Sequence, residues 1–160
     1  MGTTDRAACS VAVAGRLPAA IGLARRDLTA AAARFASKAA ARAGAPFREV
    51  TVVLQDDAAS DAAHRAVMGV EGPTDVITQG FDAMPGDAGG VYGELYVNCD
   101  RALAAAPRRR GWSPAKELLL YVAHGMDHLS GADDHSPADY ARMRRRELAW
   151  LRDAASGLGE

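Results

Sequence analysis

The chain has 160 residues, 49% of them hydrophobic, and a formal net charge of −1. That length suits one domain with a core that needs no disulfides, and two cysteines, Cys9 and Cys99, exclude a disulfide framework and fit a reducing cytoplasm. The balanced charge excludes a protein that grips polyanions by its overall field, so a nucleic-acid partner requires a local basic patch.

The N-terminus carries Asp5 and Arg6 before a short Ala/Val stretch, too short for a membrane span and without signal-peptide order. Arg6 also stands where a myristoylation site after Gly2 requires Ser or Thr. The expectation is a cytoplasmic protein with no membrane partner. Ser10 to Leu17, with Val11 and Val13 in alternation, reads as a strand. Pro18 suits the first turn of a helix that places Ile21, Leu28 and Phe35 on one face and ends at Gly44. Glu49 to Leu54 is a β-branched strand, and Asp56 to Met68 a short helix capped by Asp56 or Asp57.

The loop Gly72-Pro73-Thr74-Asp75 launches a strand through Val76-Ile77-Thr78, followed by a Gly-rich excursion from Met84 to Gly90. Glu94 to Asn98 alternates as a strand, and Asp100 to Ala106 reads as a helix stopped by Pro107. Ser113-Pro114 and Ser136-Pro137 each supply a cap and a first-turn proline for the last two helices. Residues 1–151 form the expected single domain, with a frayed, flexible tail from Arg152 to Glu160. The order of elements points to an α+β fold, a small mixed β-sheet packed with helices.

The chemistry is concentrated in the stretch from His124 to His135. His124 and His128 follow the apolar run Leu118 to Ala123 and lie four residues apart, which on a helix stacks both rings on one face about 6 Å apart along the axis. That spacing suits two ligands of one metal ion. Gly131 permits a sharp exit that returns Asp134 or His135 as a third ligand, leaving a coordination position open for water. The competing reading is an ordinary pair of structural histidines. A standard zinc peptidase is disfavoured, because Gly125 occupies the position where such enzymes carry their general-base Glu. Glu117, seven residues before His124, is either a support behind the histidine or a surface acid.

Four segments then align with one pattern. They are Asp61-Ala62-Ala63-His64-Arg65, Pro73-Thr74-Asp75-Val76-Ile77-Thr78, Gly93-Glu94-Leu95, and His124 through Asp134. In order and spacing the chain resembles the YbeY-type endoribonucleases, bacterial ribosomal RNA maturation factors, over roughly residues 45 to 150. The resemblance implies a zincin-like sheet with a late metal-binding helix and one zinc ion per chain. It also implies cleavage of single-stranded RNA during maturation of the small ribosomal subunit, a role in ribosome quality control, and no DNA partner. His124 and His128 carry over as ligands, His124 also as part of the catalytic centre, and Arg65 carries over as the functional arginine. The family's third ligand falls three residues after the motif glycine, a register that selects Asp134, with His135 one residue further as the alternative.

The chain departs from the pattern at Asp61 (Asn in the family), His64 (an aromatic), Asp127 (Leu) and Ala132 (Tyr). Thr78 to Phe81 is longer than the corresponding family segment. Arg108-Arg109-Arg110 is either an RNA-backbone contact or a solvated loop, and Arg142 and Arg144 to Arg146 are expected to face water. Two other readings stay open: a non-catalytic ribosome-assembly factor with this fold, and a zincin-like hydrolase of another substrate.

Overall fold

A computed structural model describes residues 8–157; Gly2, Asp5, Arg6 and the last three residues lie outside them. Four strands form one sheet in the order β1-β2-β4-β3. β1 (Ser10–Ala14) lies parallel to β2 (Phe47–Gln55), which lies parallel to β4 (Val91–Asn98). β3 (Val76–Phe81) is an edge strand antiparallel to β4, with Phe81 opposite Tyr92. Parallel neighbours require crossovers. The first crossover is α1 (Arg25–Ala43), and the second runs through α2 (Asp57–Met68) and β3. β2 buries Phe47, Val50, Val52 and Leu54, the alternation its β-branched sequence dictates.

α3 (Cys99–Ala105) follows β4, and α4 (Pro114–Leu129) and α5 (Pro137–Gly157) close the fold. α4 is the central helix, with Leu118 to Ala123 all buried and Met126 fully so. Two glycines set how closely it rests on the sheet. A Cβ on Gly125 would sit 2.8 Å from Leu95 Cδ2, and one on Gly93 would sit 2.6 Å from Leu129 Cδ2. Gly125 thus faces the sheet, where the general-base Glu of a zinc peptidase would have no room.

The caps follow the sequence. The Asp56 side chain accepts from the Ala59 amide, and Ser113 from that of Lys116. Two expectations are corrected. The first helix does not run on from Pro18: a 3-10 turn at Ala19–Ile21 ends in Gly22 at φ +73°, and α1 starts only at Arg25. The stretch from Arg152 is helical through Gly157 rather than frayed, because Leu151 and Ala154 continue the buried face of α5. No helix among the described residues is long and apolar enough to cross a membrane.

Candidate metal centre

α4 stacks His124 on His128 in its last turns, with ring centroids 4.5 Å apart and an interplanar angle of 86°. His124 Nδ1 lies 2.6 Å from Glu147 Oε1. A carboxylate only accepts, so the ring donates from Nδ1 and turns its Nε2 lone pair outward. His128 Nδ1 lies 3.2 Å from the Ala132 carbonyl oxygen, so it too donates there. The consequence is two Nε2 atoms facing each other at 3.0 Å. Two nitrogens facing each other at that distance make a place for a shared cation.

After α4, Ser130 caps the helix and Gly131 turns the chain at φ +92°. The turn returns Asp134 Oδ2 to 3.5 Å from His128 Nε2 and 3.8 Å from His124 Nε2. These three side chains offer ligand atoms within 4.8 Å of one another, a group that could hold a metal ion. His135 points away, with its side chain 90% exposed and Nε2 3.4 Å from Asp133. It belongs to a second, more exposed group with Asp133 and Asp134, two acids of a kind common on surfaces without an ion.

Glu147 is the member of the candidate site that the sequence reading missed. It is fully buried, and among the described residues its Oε2 has no hydrogen-bond partner. A buried carboxylate with one bond requires positive charge nearby, and the His124 side is where it finds it. The signal was present: Met143, Glu147, Trp150, Leu151 and Ala154 form the buried stripe of α5, with one acid among apolar side chains. Burial lowers the His124 pKa, but the Glu147 hydrogen bond and charge, with Asp75, outweigh it, and the pKa stands above the ordinary value.

The Asp127 departure is also accounted for. Its carboxylate is fully buried, takes three hydrogen bonds of 3.0–3.2 Å from Arg146, and lies 3.8 Å from Arg42 Nε. Arg146 therefore faces inward and not to water, a correction to the expectation for that basic run. Arg42 Nη1 also donates to Ser130 Oγ at 2.9 Å, so α1, α5 and the turn before Asp134 share one ionic network. Glu117 is neither a surface acid nor a partner of His124; it is buried and accepts from Trp112 Nε1 at 2.6 Å.

Arg65 sits on α2. Its side chain is 56% exposed and pairs with Asp61 at 3.2 Å and Glu71 at 3.8 Å. Its helix is nevertheless tied to the loop beside the histidines. Asp61 accepts from the Gly72 amide at 2.6 Å, His64 Nδ1 donates to the Gly72 carbonyl at 2.8 Å, and Ser60 exchanges hydrogen bonds with Thr74. The Gly72 amide and Arg65 hold the Asp61 carboxyl below the ordinary carboxylate range. The loop ends at Asp75, whose charge acts on His124. Asp61 and His64, both departures from the family pattern, are thus clamps on a single glycine.

The family model described as Endoribonuclease YbeY matches residues 21–155. The chain belongs to the YbeY family. A protein of Rhodopirellula baltica named Endoribonuclease YbeY is 38% identical over 121 residues, covering 75% of this chain and 61% of that protein. Its namesake in Roseiflexus is 38% identical over 111 residues, covering 65% and 69%, and that in Anaeromyxobacter 36% over 135 residues, covering 84% and 66%. The chain thus spans about two thirds of the length of these curated YbeY relatives, and slightly less for the first. The solution structure of TM1509 from Thermotoga maritima shares the fold, with a TM-score of 0.59 at 22% identity over 92% of this chain and 90% of that one.

Proposed function

We propose that this chain is a cytoplasmic, metal-dependent endoribonuclease that holds one zinc ion and cuts single-stranded RNA in maturation of the small-subunit ribosomal RNA. The observation that carries the reading is the pair of Nε2 atoms facing each other at 3.0 Å with Asp134 alongside. His124, His128 and Asp134 would hold the ion, a donor set of two imidazoles and one carboxylate that suits zinc. When bound, zinc supplies Lewis acidity for attack of water on a phosphodiester. Glu147 keeps His124 in the tautomer that offers Nε2. Arg65 carries a permanent charge on an exposed side chain, and a guanidinium grips phosphate oxygens in pairs; its role is to neutralise charge as the bond breaks. Asp61 and Glu71 pair with its guanidinium in the structure.

The test is cleavage of a labelled single-stranded RNA by metal-defined protein, with and without chelator. Chelator-sensitive cutting is the expected result; RNA binding with no cutting under any metal would favour a non-catalytic assembly factor instead. Arg65→Glu is expected to lower the cleavage rate about 10²–10³-fold, as loss of a transition-state charge contact does. Zinc content and helicity should stay parental, since the side chain is exposed. A variant that cuts at the parental rate returns Arg65 to the status of a surface residue. For the third ligand, Asp134→Ala should weaken zinc binding by at least tenfold and His135→Ala hardly at all. Competition titration of both against a chromogenic chelator checks this, and the reverse order would assign the ligand to His135.

A further inference from the structure

The basic run Arg108-Arg109-Arg110, which nothing in the proposed site uses, has a defined place in the fold. A 3-10 turn (Ala106–Arg108) leads into two further turn bonds, Arg109 N–H to the Ala106 carbonyl at 3.1 Å and Trp112 N–H to that of Arg109 at 3.2 Å. All three arginines are exposed, yet the backbone that carries them is hydrogen-bonded. Trp112 anchors the group. Its Nε1 donates to buried Glu117 at 2.6 Å, and its ring lies under two cations, Arg109 at 5.6 Å and Lys116 Nζ at 5.7 Å from the centroid.

Lys38, Arg42, Arg65, Arg142 and Arg146 each have a carboxylate within 4 Å. Among the described residues, Arg108, Arg109, Arg110 and Lys116 have none. Arg16, Arg25, Arg48, Arg101, Arg144 and Arg145 also lack a carboxylate within 4 Å among the described residues, so what marks this cluster is that four such cations gather within residues 108–116, two of them over Trp112. Four cations without an acid, in a chain of net charge −1, make a local positive field that its composition conceals. The positive end of the α4 dipole adds to it.

Helix periodicity relates the two ends of α4. Glu117, which holds Trp112, lies seven residues before His124, 20° short of two full turns and about 10 Å along the axis. Trp112 is therefore bonded to α4 on the side that carries His124 two turns later.

We infer that Arg108, Arg109, Arg110 and Lys116, arranged on Trp112, form a second contact for RNA, binding phosphates of a strand whose scissile bond lies at the His124 end of α4. The inference rests on the endoribonuclease reading and adds to it how the strand is held. Two cations already lie over the indole and the cluster offers only positive charge, so recognition is of the backbone and independent of sequence.

The test uses the full chain and two single-stranded RNAs, one long enough to reach from the histidines to Trp112 and one of three or four nucleotides. Binding is read by fluorescence anisotropy across a salt series, on chelated protein so that no strand is cut. For the triple variant Arg108→Ala/Arg109→Ala/Arg110→Ala, the salt dependence for the long strand should fall by about two in log–log slope. Its affinity near 0.1 M salt should drop about 10- to 100-fold, as loss of three phosphate contacts implies. Cleavage of the long strand should then show raised KM at unchanged kcat, and cleavage of the short strand should be parental. The triple Lys variant, which keeps the charge, should recover most of the slope.

Parental long-strand binding by the Ala variant overturns the inference and leaves the nuclease reading intact. So does a variant that loses binding to phosphatidylserine vesicles but not to RNA, which would assign the patch to a membrane surface. A parent protein that neither binds nor cuts either RNA removes both readings together.

Discussion

His124→Ala is expected to yield a folded chain that carries no metal after purification and cuts single-stranded RNA at background rate. Two effects combine. One imidazole is lost from a three-residue donor set, which leaves too few ligands to hold zinc against solvent. The substitution also removes the one hydrogen-bond donor that Glu147 has among the described residues, leaving a buried carboxylate with neither oxygen satisfied. Breaking a buried ionic pair from one side costs about 3–5 kcal/mol, and in a domain of this size that lowers Tm by roughly 10 °C. The fold survives because the α4 core, Leu118, Leu120, Val122, Ala123 and Met126, is untouched. Elemental analysis, thermal melts and the RNA assay on one preparation test all three parts. Parental metal content in the variant would remove the metal centre from the reading of this site.

Glu147→Gln should weaken zinc affinity about 10- to 100-fold, the usual consequence of losing the acceptor behind a ligating histidine. The amide keeps the volume and removes the charge, so a mere packing role for Glu147 predicts no change in affinity. The same pair sets a pH dependence in metal-free protein. The His124 pKa is raised in the folded state, so the stability it contributes is fully present below its unfolded value of about 6.5. That contribution is lost as the pH rises through the raised folded value. With chelator present, the Tm gap between parent and Glu147→Gln should therefore be widest near pH 5.5 and narrow toward pH 8. A gap that widens with pH would contradict the pairing of His124 with Glu147.

The surrounding structure explains why these side chains hold their geometry. α4 is pressed against β4 at Gly125 and Gly93, where any side chain would meet Leu95 or Leu129 inside contact distance. At its end, the buried Asp127 carboxylate draws Arg146 and Arg42 together, and Arg42 continues to Ser130, one residue before the turn. The position of Asp134 is thus fixed from both sides of a short loop. Replacing an apolar Leu with Asp at position 127 is tolerable here because α5 and α1 each supply an arginine.

The sequence by itself determined what is local. Helix caps at Asp56 and Ser113, the β-branched strand at residues 49–54 and the four-residue spacing of His124 and His128 all depend on neighbours within one or two turns, and periodicity records them. Register counted from Gly131 singled out Asp134 but left His135 standing, because adjacent residues in a loop differ only in how the chain turns. Tertiary structure alone decided the rest. It set Asp134 toward the histidines and His135 into solvent, brought Glu147 to His124 across 23 residues, and turned Arg146 inward to Asp127. It also carried α5 past Arg152, since the burial of Ala154 is given by what packs against it and not by its own side chain. The physical reason is the same in each case. A buried charge is permitted only where its partner arrives, and that partner lies on another element, whose approach no local spacing encodes.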